Sequence, residues 1–259
     1  MELCVKCGAA LAPTDVFCGS CGMKRRQDVS VKEKQSIRQV IIFYITFLVF
    51  AIVSYVIYLE SESLLTEIVL ESVFILLTIM FSLMDFSRIL KLYSIKYINW
   101  KNLGFSIIFP VFTAAVVYYG ISALNVLLME EDYNMMYDYM DYENSFLWAF
   151  IFIAIVAPIF EELAFRGYLF NQLMNFASPR VTIIATALIF ALVHFSFISV
   201  LWIFPFGLVL GYLRYKYRTL WLGMLVHFIH NLLVLLLDYY YFNQESLIDI
   251  TAGAAGIQG

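Results

Sequence analysis

From residue 39 to residue 238 long apolar runs are separated by short polar breaks, and the runs are continuous rather than alternating residue by residue. A hydrocarbon core of about 30 Å takes about 20 helical residues at about 1.5 Å each. The pattern therefore predicts membrane-spanning helices over about 39–59, 64–87, 103–128, 146–170, 181–197, 200–213 and 219–238. Without residue-by-residue alternation it does not read as a membrane barrel. The stretch 195–213 also fits one broken helix or a re-entrant piece. No internal repeat and no nucleotide-binding glycine motif interrupts the pattern.

Composition agrees with the pattern: 63% of residues are hydrophobic, 14% are charged, and mean hydropathy is +0.84, far outside the range of soluble domains. The net charge of -4 decides little, because placement matters more than the sum. Lys24, Arg25, Arg26, Lys32, Lys34 and Arg38 precede the first span, so the positive-inside rule puts the N-terminus in the cytoplasm of what is expected to be a bacterial plasma membrane. Glu60-Ser-Glu62 then falls outside, and Arg88, Lys91, Lys96 and Lys101 fall inside. The loop "MEEDYNMMYDYMDYEN" holds six acids and no Lys or Arg, and is external, read as a solvated tyrosine-rich loop in preference to a cation site. Arg180, then Arg214, Lys216 and Arg218, return inside, and the tail with Asp238, Glu245 and Asp249 ends outside.

The first 38 residues differ in class. They are polar, lack the apolar region of a cleavable signal peptide, and carry Cys4, Cys7, Cys18 and Cys21, so the N-terminus is expected to be retained. Two C-x2-C pairs, each followed by glycine, are the spacing with which two knuckles offer four thiolates to one structural Zn²⁺; two disulfides or unpaired thiols are the alternatives. So short a segment has almost no core, and a metal would supply its folding energy. The segment resembles the zinc ribbons at the ends of many bacterial membrane proteins. The expected fold class is all-α, a polytopic transmembrane helix bundle of about seven spans preceded by a small zinc-ribbon domain. The expected boundaries are 1–26 for the ribbon, 27–38 for a basic linker, 39–238 for the membrane domain with a motif-bearing core at 146–237, and 239–259 for the tail.

Ionisable groups within spans cost at least about 2.5–3.5 kcal/mol each on insertion scales and usually face the bundle interior with a partner. In the last four spans these are Glu161, Glu162, Arg166, His194, His227 and His230. Glu67, Glu71 and Asp85 in the second span read as interfacial or locally paired acids. Glu162 and Arg166 are i and i+4, on one helical face, which suits a charge pair. Glu161 is turned about 100° from Glu162, so Arg166 cannot easily satisfy both carboxylates. Pro158 removes a backbone bond to the Ala154 carbonyl and is expected to bend the helix and open space beside Glu161. Phe190 and His194 are again i, i+4, as are His227 and Asn231. Counting residues along each span brings Glu161, His194 and His227 to similar depth, which favours a site over three separate packing residues. His230 reads as a packing or supporting residue.

These residues form the series E-E-x-x-x-R (Glu161, Glu162, Arg166), F-x-x-x-H (Phe190, His194) and H-x-x-x-N (His227, Asn231). In this order the series resembles the CPBP family, the CaaX-protease and bacteriocin-processing (Abi-type) intramembrane proteases, over roughly residues 146–237. The resemblance implies proteolysis by a glutamate-activated water with no catalytic metal. It implies Glu161 as general base, His194 as the group that positions or polarises the water, His227 and Asn231 as oxyanion stabilisers, and Glu162, Arg166 and Phe190 in support. It also implies a membrane-associated peptide or protein substrate within the lipid bilayer. No nucleic-acid partner is expected, and a protein partner could dock through the ribbon. Two other readings stay open: Glu161, His194 and His227 as ligands of a divalent metal, and a non-catalytic membrane scaffold, immunity or regulatory factor whose ribbon recruits a partner.

Overall fold

A computed structural model describes residues 2–4, 6–11, 18, 20–21, 31–61, 63–128, 134–194 and 197–256, with side chains throughout except at 2, 11, 121, 128, 197–199 and 245–256. Lys24, Arg25, Arg26, Glu62, Glu130, Glu131, Asp132 and the side chains of Glu245 and Asp249 lie outside the described residues. A two-residue antiparallel ladder, β1 (Glu2–Leu3) with β2 (Ala10–Leu11), is followed by helices. These are α1 (Val31–Glu60), α2 (Leu64–Leu83), α3 (Phe86–Leu90), which leads into a 3-10 turn at Lys91–Tyr93, and α4 (Trp100–Leu128). A 3-10 turn at Met135–Tyr139 leads into one helical rod, Ser145–Leu173. Then come α8 (Pro179–Leu192), α9 (Phe197–Tyr217) and α10 (Trp221–Gly256), the labels α5 to α7 being kept for parts of the rod.

Each of the seven predicted spans coincides with a helix. Among the described residues, five of these helices are long and apolar enough to cross a membrane. The other two are α8 and α9. At 14 residues α8 covers about 21 Å, short of the hydrocarbon core. The predicted fifth span ran to residue 197, but the helix ends at Leu192. α9 is a separate helix, and α10 continues to Gly256, through most of the segment expected as a tail.

The rod is not uniformly α-helical. It runs α5 (Ser145–Ala149), a π-helical stretch Phe150–Val156, α6 (Ala157–Glu161), a second π-helical stretch Glu162–Leu169, and α7 (Phe170–Leu173). Proline is the reason the upstream register matters. The Ala157 N–H donates five residues back to Phe152, and in that register Pro158 lacks the N–H that Ile153 would accept. The orphaned carbonyl is therefore Ile153, not the Ala154 of an unbroken α-helix.

Lipid offers no hydrophobic gain for helix association, so close packing and polar contacts must hold the bundle. Phe43 and Phe47 of α1 meet Phe81 of α2 and Phe165 and Tyr168 of the rod, with ring centroids 5.2–6.1 Å apart. Such pairs contribute about 0.5–1.5 kcal/mol each beyond area burial. Along α8, α9 presents Gly207 and Gly211, where an added Cβ would lie 3.1 Å from Ala187 Cβ and 3.3 Å from Ile183 Cγ2. This small-xxx-small spacing lets the two backbones approach.

Candidate intramembrane active site

The buried centre of the site is the Glu162–Arg166 pair. Arg166 Nη1 donates to Glu162 Oε1 at 2.9 Å, and both residues have 0% exposure. The second π-helical stretch carries both groups, and a wide turn still leaves residues four apart on nearly the same face. Arg166 Nη2 also donates to the Gly207 carbonyl of α9 at 3.3 Å, and its guanidinium lies 4.2 Å from the centroid of the Phe190 ring. On the other side α10 approaches through Gly223, where an added Cβ would sit 2.6 Å from Glu162 Oε2. Phe190 is thus a ceiling over the guanidinium as well as a neighbour of His194.

His227 of α10 stands between the two carboxylates. Its Nε2 is 3.7 Å from Glu161 Oε2 and its Nδ1 is 3.5 Å from Glu162 Oε1, beyond firm hydrogen-bond distance but within ion-pair reach. Phe190 stands perpendicular to the imidazole at 6.0 Å between centroids, and Phe206 lies edge-on at 5.5 Å. The ring is therefore confined by aromatics with both nitrogens turned to acids.

Glu161 differs from its neighbour. Its side chain is 19% exposed and opens on a cavity of about 210 Å³, lined also by His194, Glu71 and Ser54 and walled by Phe47 and Phe74. His194 reaches the cavity because α8 stops short, which puts the residue in the turn just beyond the helix end, with its N–H on the Ala191 carbonyl. His194 Nδ1 donates to the Phe190 carbonyl at 2.7 Å, which leaves Nε2 as the ring nitrogen that can meet a water.

Asn231, one turn beyond His227 on α10, donates its side-chain amide to the Ile153 carbonyl at 2.9 Å. One of its two N–H groups is thereby committed to the rod. His230 is in a different nest: Nδ1 is 3.1 Å from Thr113 Oγ1 of α4, and the ring packs on Trp202 and Phe206.

Of the acids in the predicted second span, Asp85, which precedes α3, pairs with Arg88 and accepts from Asn171 at 2.7 Å, and Glu67 of α2 accepts from the Tyr139 hydroxyl at 3.1 Å. Glu71 departs from the expectation of an interfacial or paired acid. It lines the cavity with Glu161, and its Oε2 has no hydrogen-bond partner among the described residues. The sequence signal was there: Glu67 and Glu71 share one face of α2, and Glu71 lies one turn deeper. What the spacing does not show is that this face turns towards the rod.

The four cysteines converge. Their sulfurs all lie within 4.8 Å of one another, with Cys4–Cys21 and Cys7–Cys18 each at 3.6 Å. A disulfide needs about 2.05 Å, whereas a tetrahedron of Zn–S bonds of about 2.3 Å has edges of about 3.8 Å. The arrangement thus suits a metal, and the cysteines are unbonded to one another. Backbone N–H groups aim at the sulfurs: those of Lys6 and Cys7 bring the Cys4 thiol down to about 6, and those of Ser20 and Cys21 lower Cys18. Thiolates are the ligand form, so the local backbone favours metal binding.

Residues 143–233 match the family model described as type II CAAX prenyl endopeptidase Rce1-like, about a third of the chain. The matched stretch holds the rod, α8, α9 and the part of α10 that carries the site. No curated protein matches the chain. The helices support a multi-pass membrane protein, and the stretch that carries the site is similar to a family of CAAX endopeptidases.

Proposed function

We propose that the protein is an intramembrane endopeptidase in which Glu161 activates a water held in the cavity it shares with His194. The single observation behind this reading is the unequal placement of adjacent carboxylates: Glu162 is sealed against Arg166, while Glu161 opens on a cavity that a second helix supplies with an imidazole. The water oxygen attacks the scissile carbonyl carbon as Glu161 takes its proton. The C–N bond then breaks, and the proton passes to the leaving amine. His194 accepts from or orients the water through Nε2, and His227 holds Glu161 Oε2 in place. The remaining N–H of Asn231 is available to the oxyanion, and His227 Nε2, 3.7 Å from Glu161 Oε2, is released to donate to it once Glu161 has taken the proton. In a site with little water such donors gain strength and need no reorganisation during the reaction.

The N-terminal cysteines hold one structural Zn²⁺ and form a docking or regulatory module on the cytoplasmic side. Lys32, Lys34, Arg38, Arg88, Lys91 and Arg214 gather at one end of the bundle and Asp138, Asp141 and Glu143 at the other, which supports this orientation. Comparative proteomics of membranes from cells carrying the wild type or Glu161→Gln tests the reading. New protein termini confined to the wild type are expected, and identical termini in both would sink it.

A further inference from the structure

A second cavity, of about 650 Å³, lies at the end of the bundle where α3 and the turns after it meet α7 and the end of α9. Arg88, Lys91, Lys96, Arg214 and Arg218 line it together with Asn171 and apolar groups. The volume is within the range of about 300–1,000 Å³ typical of small-molecule sites. No carboxylate among the described residues lines it. Asp85 lies behind it, pairing with Arg88 and accepting from Asn171.

The five cations are held in two ways. Arg88 and Arg214 are fixed by the fold: Arg88 Nη1 donates to Asn175 Oδ1 at 3.1 Å, and Arg214 donates to the Arg166 carbonyl at 3.0 Å and to Asn171 Oδ1 at 2.9 Å. Lys91, Lys96 and Arg218 make no ion pair among the described residues and come from three separate turns, Arg218 at a left-handed φ of 51° just past α9. Asp85 offsets one of the five charges, and holding the other four together is unfavourable unless an anion completes the set.

Neighbouring aromatics fix the depth of the cavity. Trp100 is 78% exposed, and Tyr97, Tyr215 and Trp221 are exposed beside it, with Trp221 Nε1 donating to the Tyr93 carbonyl at 2.9 Å. Exposed Trp and Tyr at the end of apolar helices mark the headgroup level of a bilayer. Leu92, Phe170 and Met174 give the cavity an apolar floor that suits a glycerol and acyl stem better than a free ion.

We propose that this cavity binds the phosphate of an anionic phospholipid headgroup, with Lys91, Lys96 and Arg218 contributing the charge and Arg88 and Arg214 the fixed frame. The assignment does not depend on the protease reading. It places an annular lipid against α9, whose Gly207 carbonyl and Arg214 side chain both touch the buried Arg166. Membrane lipid thus becomes a structural partner of the helix that backs the site.

The full-length protein in a neutral detergent, analysed by native mass spectrometry with added phosphatidylglycerol or phosphatidylcholine, tests this. Wild type is expected to retain phosphatidylglycerol and not phosphatidylcholine. Each lysine or arginine near a headgroup contributes about fivefold, so the triple variant Lys91→Gln, Lys96→Gln, Arg218→Gln is expected to lose on the order of 100-fold in retention, and Lys91→Gln alone about fivefold. A control triple elsewhere at the same end, Lys32→Gln, Lys34→Gln, Arg38→Gln, is expected to retain the lipid as wild type does. Undiminished retention in the cavity triple, an equal loss in the control, or equal binding of phosphatidylcholine overturns the proposal. Displacement of the lipid by millimolar inorganic phosphate, with phosphate binding equally well in detergent alone, assigns the cavity to a soluble anion and overturns the lipid assignment.

Discussion

The side-chain amide of Asn231 donates to the carbonyl of Ile153 at 2.9 Å, joining α10 to the widened turns of the rod just upstream of Pro158. Proline leaves that carbonyl without its backbone donor, and asparagine on a neighbouring helix supplies one. In a bundle without water such a bond has no ready substitute.

Asn231→Leu is accordingly expected to lower stability by about 1–3 kcal/mol, the cost of leaving a buried acceptor unpaired, read as a fall in thermal melting temperature in detergent. Pro158→Ala restores an N–H to the rod, so Asn231→Leu should cost less in that background. Equal costs in the two backgrounds would mean that the bond to Ile153 is not what Asn231 contributes.

For Glu161→Gln the fold is expected to survive while peptide cleavage falls by about 10²–10⁴, the usual loss when a general base cannot accept a proton. Activity on a fluorogenic peptide and melting temperature, measured on one preparation, separate the two effects. A variant that unfolds, or one that still cleaves, contradicts the role.

The adjacent pair should behave in the opposite way. Glu162→Gln or Arg166→Leu leaves a lone charge at a position with no exposure, which costs about 3–5 kcal/mol. The double variant is expected to be more stable than the sum of the singles, since neither charge is stranded. Additive losses would show that the 2.9 Å contact carries no coupling.

Gly223→Ala adds one methyl group 2.6 Å from Glu162 Oε2, and the flanking Arg166 and His227 leave the carboxylate little room to move. Melting temperature and cleavage are both expected to drop, by more than for Ala at Gly104, where an added Cβ meets nothing within 4 Å. Similar behaviour of the two variants would refute the tight approach of α10 to the rod.

Cys4→Ser with Cys21→Ser is expected to reduce bound zinc from one per chain to none, measured by elemental analysis, while the melting temperature of the membrane part and cleavage of a short peptide hold. Loss of peptide cleavage in step with zinc would tie the metal to the chemistry instead of to docking.

What the sequence discloses here follows from which physics is periodic. Glu162 and Arg166 were legible as partners because four residues separate them, and that spacing puts both on one face in either helical register. The cysteine spacing likewise predicted a set of sulfurs that converge. The helix positions followed from hydropathy alone. The π-helical turns were not legible, because hydropathy counts side chains and is blind to which carbonyl each N–H meets; the orphan was accordingly expected at Ala154 instead of Ile153. The early end of α8 was hidden for a similar reason: the apolar run carries on past Leu192 with no charge or proline to stop it. Glu71 was visible as an acid on the face of α2 but not as a neighbour of Glu161, since that depends on how two helices distant in sequence are turned. The basic cavity is assembled from three turns, and no local pattern joins them.

The wide turns of the rod separate its length from its rotation. A chain lacking one residue between 150 and 156 could return that stretch to ordinary α-helix with little change in the orientation of what lies upstream, because wide turns rotate less per residue and so absorb the extra one. Its hydropathy profile and its E-E-x-x-x-R series would be unchanged. Yet the carbonyl left bare by Pro158 would move to Ala154 and face another direction, leaving Asn231 to find a different acceptor. Single-residue gaps upstream of the glutamates are therefore absorbed by the backbone yet change which carbonyl is bare, and two chains that align perfectly through the motif can still differ in what ties α10 to the rod.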